Sequence, residues 1–428
     1  MNQLTRRRSF ILLALALLAA LVTWLFQPPV ATQSRAVRLA HRAVRWPRQW
    51  VQGRLATADR HLRITLDSAA WQTLTAARAE AIRRGLLPKE AKTWVPARVQ
   101  IDGGAAQTGK VRLKGDYPDH WAGAKWSLRI QLPPDARPAW GMRVFSVQDP
   151  ATREFLIEWL LHRLLRTEGL LAIRYEFGFV TLNGDDKGVF AIEESFGPEL
   201  LTANGRRGVL LKFDETALID PEKRVAPDQD EPAIFRTAAI VPFDEKRVLT
   251  DSTLAPQFRR GRALLAGVRA GTVPLDSAFD AAAAGKLYAV CDLFGAHHAT
   301  RWKNSRFAYD PRTDRLTLIA YDGNAGERIA QPYPTLAPGQ TLYEHDDPPT
   351  WKARVFTNAA FLAAYRAEAA RLSAPGFLTA FLYQAEPHVS AYRRLMYRDR
   401  PTYDFDWLRE GLEANQAVLR TYVASASH

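Results

Sequence analysis

The sequence predicts an α+β protein with two lobes behind an N-terminal transmembrane helix, and three observations indicate this class. Short segments in which apolar and polar residues alternate, as they do in strands, recur between His61 and Glu215. Apolar residues at helical spacing run through Ala151–Glu168, and further helical segments follow Trp351. An uncharged apolar run with the character of a membrane span occupies Phe10–Phe26.

The composition is that of a folded chain with an excess of positive charge. Of the 428 residues, 47% are apolar, which excludes a disordered protein and allows two or three domain-sized units. The formal net charge is +13, and arginine far outnumbers lysine. This charge favours an anionic partner, such as a membrane surface, an acidic polymer or a phosphate-bearing substrate. A genome that prefers arginine codons is the alternative explanation. Cys291 is the only cysteine, so an internal disulfide is excluded.

Residues 1–30 have the features of a signal anchor. Three arginines at positions 6–8 precede the apolar run, whose length of about 17 residues is at the short end for a membrane span. A cleaved signal peptide is the alternative. Trp24 and Phe26 disfavour it, because signal peptidase prefers small residues near the end of the apolar run. We therefore expect a single-pass membrane protein.

Residues 31–60 form the predicted basic linker between the membrane and the folded part. Its arginines recur every three or four residues and share one face of a helix, and two tryptophans lie close to them. This face suits anionic lipid headgroups, and a solvated linker is the alternative interpretation. The residues concerned are Arg35, Arg38, Arg42, Arg45, Trp46 and Trp50.

Residues 61–215 are predicted to form the N-terminal lobe. The segment HLRITLD, which begins at His61, is predicted to be a strand, and Ser68–Gly85 a helix. Gly104–Lys110 has the spacing of a phosphate-binding P-loop. That loop needs Ser or Thr after the lysine and a helix beyond it, whereas Val111 follows here and the chain continues as a strand. We therefore predict a glycine-tipped hairpin at this position.

Residues 216–428 are predicted to form the C-terminal lobe, with a long loop over 215–255 and a helical end. A hairpin lies near the middle of this lobe. Its strands are predicted at Ser305–Asp310 and Arg315–Tyr321, on either side of a turn at 311–314.

A metal site is predicted at the open end of this hairpin. Asn304 immediately precedes the first strand and Asp322 immediately follows the second, so one amide oxygen and one carboxylate converge there. Oxygen ligands of this kind suit Mg²⁺, which completes its shell with phosphates and water. Protein kinases use an Asn, a hairpin and an Asp in the same way. The alternative is that both residues merely cap the hairpin.

Five ordered blocks of the sequence carry a family resemblance. They are VRLKGDYPDHWAGAKWSLRI at Val111–Ile130, the strand Phe177–Asn183, GVFAIEE at Gly188–Glu194, VLLKFDE at Val209–Glu215, and the separated pair N…YDG that contains Asn304 and Asp322. Together they resemble the spore coat protein H (CotH) kinase-like family over roughly residues 61–330. The resemblance implies an atypical two-lobed protein-kinase-like fold and phosphoryl transfer from ATP to serine with a divalent metal.

The resemblance also implies roles for particular residues. Asn304 and Asp322 match the metal-binding pair, for Mg²⁺ or Mn²⁺. Four other residues are assigned to the nucleotide side of the site. Lys125 best matches the lysine that holds the phosphates, Lys114 and Lys212 are further cationic candidates, and Glu193 or its neighbour Glu194 is expected to fix the lysine. Solvated strand faces are the alternative for these residues.

The sequence departs from the family at the catalytic base. Kinase-active members have an Asp five residues before the Asn, and Ala299 stands at that position here. Alanine cannot accept a proton from a substrate hydroxyl. His298 is one candidate for this role, because a neutral imidazole is a competent base near pH 7, and Asp292 is the other.

Two functions follow as expectations. The first is a membrane-anchored CotH-like kinase that transfers a phosphoryl group from ATP–Mg²⁺ to a hydroxyl acceptor, which is a protein Ser/Thr or an envelope component. The second is a catalytically inactive relative that binds or scaffolds within the cell envelope, which Ala299 favours. Signal-anchor precedent in the family places the chain in the bacterial inner membrane with a periplasmic domain. Nucleic-acid binding rests on net charge alone and is not expected.

Overall fold

The first half of the chain folds into a closed barrel of seven strands. The computed structural model describes residues 35–224, 230–335, 355–404 and 406–426. The barrel strands run in the order β1, β2, β3, β4, β5, β7, β6. Their bounds are β1 His61–Thr65, β2 Val95–Ile101, β3 Gln107–Leu113, β4 Leu128–Gln131, β5 Val144–Gln148, β6 Tyr175–Leu182 and β7 Asp185–Glu194.

Closure of the barrel depends on one parallel pairing. Neighbouring strands are otherwise antiparallel, but β1 lies parallel to β6, with Leu62 opposite Val180. Alternate side chains point inward and fill the interior with aliphatic residues, Phe145 and Phe190. The prediction of a two-lobed protein-kinase-like fold is therefore wrong, because the first half is a closed barrel rather than an open lobe. The coarser assignment to the α+β class agrees with the structure.

The second half surrounds a four-stranded sheet in the order β11, β10, β8, β9. These strands are β8 Val209–Phe213, β9 Ile240–Pro242, β10 Arg306–Asp310 and β11 Arg315–Ile319. The predicted hairpin is confirmed, since β10 and β11 pair from Arg306–Ile319 to Asp310–Arg315. The strand β8, predicted to lie in the N-terminal lobe, pairs with β10 and belongs to this second sheet.

Helices pack against both sheets and against each other. In the first half they are α1 Arg35–Arg54, α2 Ser68–Arg84, α3 Leu156–Thr167 and α4 Pro198–Ala203. In the second half they are α5 Thr216–Ile219, α6 Glu231–Thr237, α7 Glu245–Thr250, α8 Leu254–Ala270, α9 Leu275–Ala278, α10 Ala281–Phe294, α11 Ala359–Ser373, α12 Phe377–Asp399 and α13 Asp406–Ser425. The region 215–255, predicted as a loop, thus contains short helices and β9.

The helix α10 leads directly into the candidate site. Asp280 caps its start by accepting a hydrogen bond from the amide of Ala283. Gly295 ends it in the left-handed conformation, and a Cβ at this position would come within 1.9 Å of the carbonyl oxygen of Glu327. The chain can therefore turn sharply here, which sends residues 297–304 toward the barrel.

The membrane predictions are corrected by the helices of the structure. The predicted span Phe10–Phe26 lies outside the described residues, as do the side chains of Arg35, Arg38 and Arg42. Within residues 35–426, excluding the gaps given above, no helix has the length and apolar character to cross a bilayer. The prediction of a single-pass protein of the inner membrane with a periplasmic domain is therefore not retained.

Candidate functional site

A row of polar side chains crosses the outer face of the barrel. The strand register places Arg112 opposite Arg129, Arg129 opposite Ser146, and Ser146 opposite Glu193. Directly paired residues point to the same face of a sheet. The residues on either side of this row, such as Val111 and Leu128, fill the barrel interior. The row therefore faces away from the barrel core, and the hydroxyl of Tyr321, which follows β11, donates to Glu193 at 3.3 Å.

A buried ion pair lies beside this row. The ammonium of Lys114 is 2.6 Å from Glu193 Oε1 and donates to Gln148 Oε1 at 2.8 Å. Burial by itself would raise the pKa of Glu193, but the Lys114 charge lowers it below its ordinary value. The carboxylate therefore stays ionised. Burial, with the charges of Arg153 and Arg129, lowers the pKa of Lys114, against the opposite effect of Glu193.

Asp322 forms a second ion pair, with a residue that the sequence analysis did not single out. Its Oδ1 contacts the Nε of Arg153, which is only 8% exposed. Burial alone would raise the pKa of Asp322, but Arg153, and then His298, hold it well below its usual range. Burial would lower the pKa of Arg153, and the charges of Asp322 and Glu193 raise it instead. Both groups are therefore charged.

His298 connects Asn304 with Asp322. Its Nδ1 is 2.6 Å from the Asp322 carbonyl oxygen, and a carbonyl can only accept, so Nδ1 carries the hydrogen and Nε2 the lone pair. The Asn304 amide nitrogen donates to the His298 carbonyl oxygen at 2.9 Å and lies 3.0 Å from Nδ1 and 3.3 Å from Nε2 of the ring. Burial lowers the pKa of His298, so the ring is neutral near pH 7. The hairpin thus brings the predicted metal pair to one imidazole.

Three further cations lie near these pairs, and the charge of Asp116 acts on two of them, Arg112 and Lys303, from beyond ion-pair distance. Within the described part of the chain, Arg112, Arg129 and Lys303 make no ion pair. Burial, and next the charge of Arg129, lower the pKa of Arg112 to about 10. Burial and Arg301 likewise lower the pKa of Lys303, against the pull of Asp322. Like charges on directly opposed strand residues repel, and a bound anion would relieve this repulsion.

We call this arrangement the barrel-face cluster. It consists of Arg112, Lys114, Arg129, Gln148, Arg153, Glu193, His298, Lys303, Asn304, Tyr321 and Asp322. Asp119 lies at its rim with about half of its side chain exposed, and burial raises the pKa of this carboxyl. The arrangement can bind a ligand with several negative charges, and the neutral His298 ring beside it can accept a proton.

Two of the predicted lysines lie elsewhere. Lys125 is paired with Asp399 at 2.5 Å and donates to the Val189 carbonyl oxygen, away from the cluster. Lys212 forms its own ion pair with Glu215 at 2.8 Å.

Asp292 belongs to a separate group that we call the core cluster, which consists of Asp292, His297, Tyr333 and Tyr365. Asp292 is fully buried and accepts from His297 Nε2 at 2.5 Å, from the Tyr333 amide at 3.1 Å and from the Tyr365 hydroxyl. Its carboxylate oxygens are fully used inside the core, so it does not face a substrate.

The donor atoms present fit a divalent cation that arrives with phosphates. Among the residues described, no group of three or more His, Cys, Asp or Glu side chains forms a metal site. Mg²⁺ needs only one or two protein oxygens when phosphates and water supply the rest. Asp322 and the Asn304 amide oxygen are of this type, and the Asn304 amide nitrogen, not the oxygen, makes the hydrogen bond to the His298 carbonyl oxygen. Arg153 holds one oxygen of Asp322 and would compete with the cation.

No family model matches the sequence, and neither does any curated protein. The resemblance to the CotH family therefore stays a prediction, and the function is argued from the barrel-face cluster itself.

Proposed function

We propose that the chain transfers a phosphoryl group from ATP–Mg²⁺, or ATP–Mn²⁺, to a hydroxyl acceptor at the barrel-face cluster. One observation carries the proposal: the buried Lys114–Glu193 pair lies beside cations that make no ion pair with any residue the structure describes. Phosphoryl transfer requires chiefly that the protein position the reactants and neutralise their charge, and these side chains can do both. The five sequence blocks that resemble the CotH family support the same reaction.

Each of the cations would contact different phosphate oxygens of the nucleotide. Glu193 and Gln148 hold Lys114 in a fixed position, so its ammonium is preorganised as a point charge. Arg112 and Arg129 offer planar guanidinium groups, which bind phosphate oxygens in pairs. Their mutual repulsion is the energetic reason to bind an anion, because the ligand neutralises charges that the fold leaves uncompensated.

Asp322 and Asn304 would hold the divalent cation, which supplies further charge neutralisation at the phosphates when bound. His298 is the residue best placed to accept the proton of the acceptor hydroxyl. Its Nδ1–H is anchored on the Asp322 carbonyl oxygen, which fixes the tautomer and leaves the lone pair on Nε2. Ala299, which stands at the usual aspartate position, is buried and takes no part.

Thermal shift on the full chain tests nucleotide binding. The protein is heated alone, with ATP, with Mg²⁺, and with both together. A ligand present at about a hundred times its dissociation constant adds about 2.7 kcal/mol of stability, which raises the melting temperature measurably. We expect the largest shift with ATP and Mg²⁺ together. In Asp322→Asn the metal-dependent part should disappear, whereas Asp314→Asn, in the exposed turn of the same hairpin, should behave as the wild type.

A second candidate function is phosphate-ligand binding without turnover. Two observations favour it, namely Ala299 at the position of the base and the Arg153 contact on Asp322. A transfer assay with labelled ATP and serine-containing peptides separates the two. Labelled peptide that is lost in His298→Gln supports catalysis. A clear thermal shift with ATP and Mg²⁺ but no transfer to any hydroxyl acceptor supports phosphate-ligand binding without turnover. The absence of any thermal shift would contradict both proposals.

A further inference from the structure

A cavity that is separate from the barrel-face cluster lies where the barrel meets α2. Its volume is about 300 Å³, within the range of small-molecule sites. Four of its lining side chains belong to the barrel core and give it an apolar floor: Leu128, Val180, Leu182 and Phe190. The mouth of a β-barrel is a common place for such sites, because the strand ends leave the interior open there.

Two tryptophans form a rigid wall of this cavity. Trp71, on α2, stacks on Trp126, with ring centres 5.2 Å apart and planes at 5°. The guanidinium of Arg78, two turns further along α2, lies 4.9 Å from the Trp126 ring centre. These contacts fix the rings before any ligand arrives, which lowers the entropic cost of binding.

The polar groups of the cavity are cationic. Arg78 donates to the carbonyl oxygens of Trp121 at 2.7 Å and Ala122 at 2.8 Å, and it makes no ion pair with any residue that the structure describes. Among the described residues, the ion-pair partner of Lys187 is the exposed Asp185, at 3.4 Å. None of the described residues that line the cavity is a carboxylate. An anionic group at the rim would therefore meet two positive charges and compete only with the exposed Asp185 for Lys187.

The entrance is left open by small residues. Gly123 and Ala124 are exposed and line the cavity, and a Cβ built on Gly123 meets no atom of the described residues within 4 Å. A large side chain can therefore be introduced there without disturbing the core, which provides a way to close the site.

We propose that this cavity binds a small carboxylate with an apolar chain, such as a medium-chain fatty acid. The chain contacts the aliphatic floor and the tryptophan wall, and the carboxylate lies at Arg78 and Lys187. Apolar burial supplies the affinity, and the two cations select an anionic head group over a neutral or positive one. This site is independent of the phosphoryl transfer proposed above.

Titration calorimetry on the full chain tests the proposal with three probes of equal chain length. They are octanoate, 1-octanol and octylammonium. We expect octanoate to bind with one site per chain and 1-octanol to bind at least about tenfold more weakly, which is the loss of one charge-assisted contact. Octylammonium should not bind. Equal affinity for all three probes, or no octanoate binding, would overturn the proposal.

Variants locate the site. Gly123→Trp should abolish octanoate binding by filling the entrance. Arg78→Met should weaken octanoate about tenfold and leave 1-octanol unchanged. The control is Arg98→Met, an exposed arginine of β2, which should bind as the wild type does. Circular dichroism verifies that each variant is folded. Octanoate binding that persists unchanged in folded Gly123→Trp and Arg78→Met would place the ligand elsewhere and refute the assignment.

Discussion

The barrel-face cluster and the core cluster both place an aspartate against a histidine, yet they differ in charge balance. In the core cluster, Asp292 is met by hydrogen bonds from His297, Tyr333 and Tyr365. In the barrel-face cluster, five cationic side chains, of Arg112, Lys114, Arg129, Arg153 and Lys303, lie around the buried carboxylate of Glu193 and the partly buried carboxylate of Asp322, with Asp119 at the rim. A balanced network stabilises a fold, whereas surplus charge is tolerated where a ligand of opposite charge binds. The surplus therefore distinguishes the candidate site from the structural cluster.

The largest effect should come from the core cluster. We expect Asp292→Ala to lower the free energy of unfolding by about 3–5 kcal/mol, because three donors lose their acceptor in the protein interior. Urea denaturation measures this loss. Nucleotide affinity of the remaining folded protein should not change. If ATP binding is lost while stability is kept, Asp292 belongs to the site and the distinction between the clusters fails.

Removing Arg153 should have the next largest effect. Arg153→Met leaves the buried Oδ1 of Asp322 without its ion-pair partner, so we expect a loss of about 2–4 kcal/mol in the free energy of unfolding at pH 7. The double variant Arg153→Met/Asp322→Asn should recover much of it, since the uncompensated charge is gone. Urea denaturation of the four proteins in this mutant cycle gives the coupling energy. A coupling near zero would show that the contact contributes nothing.

Acid should lower the contribution of the barrel-face cluster to the free energy of unfolding. The pKa of Asp322 is lowered in the folded protein, so its contribution is fully present above the unfolded value of about 3.9 and is lost as the pH falls below it. We expect Asp322→Asn to reduce the slope of stability against pH below about pH 4, with an effect of about 1–2 kcal/mol. Urea midpoints measured from pH 2 to pH 7 provide the comparison, and parallel curves for the two proteins would contradict it.

The smallest effect on stability should have the opposite sign. Arg129→Met removes one of two repelling charges, so we expect a gain of up to about 1 kcal/mol in the free energy of unfolding. The same change should weaken ATP binding about tenfold. Lys110→Met, an exposed cation on β3, is the matched control and should alter neither quantity. A variant that loses stability and keeps its affinity would mean that Arg129 is structural.

Local patterns predicted the parts of the fold that local residues determine. The hairpin of β10 and β11 follows from alternation around a turn, and the helix α3 from its apolar stripe. Closure of the barrel was not predictable in this way, because it depends on a parallel pairing between β1 and β6, which are more than a hundred residues apart. No repeat or turn signal in either strand specifies that pairing.

The site was predictable where residues are close in sequence. Asn304 and Asp322 meet at His298 because a hairpin joins them. Alternation along β3 places Arg112 and Lys114 on one face, whereas the preference for Lys125 came from the resemblance alone. No pattern in the sequence marked Arg153 as a site residue. It precedes two non-glycine residues with positive φ, Glu154 at 48° and Phe155 at 58°, and the partner it reaches lies far along the chain.

The parallel closure of the barrel also orders events during synthesis. One edge of β1 pairs with β2 soon after both strands leave the ribosome, but its other edge stays unpaired until β6 has been synthesised. At ribosomal speed this interval is on the order of ten seconds. An open strand edge is a template for pairing with other chains, so this is the period in which the nascent chain is most exposed to aggregation. Conditions that slow translation between residues 65 and 175 should therefore lower the yield of folded protein more than equal delays near the C-terminus.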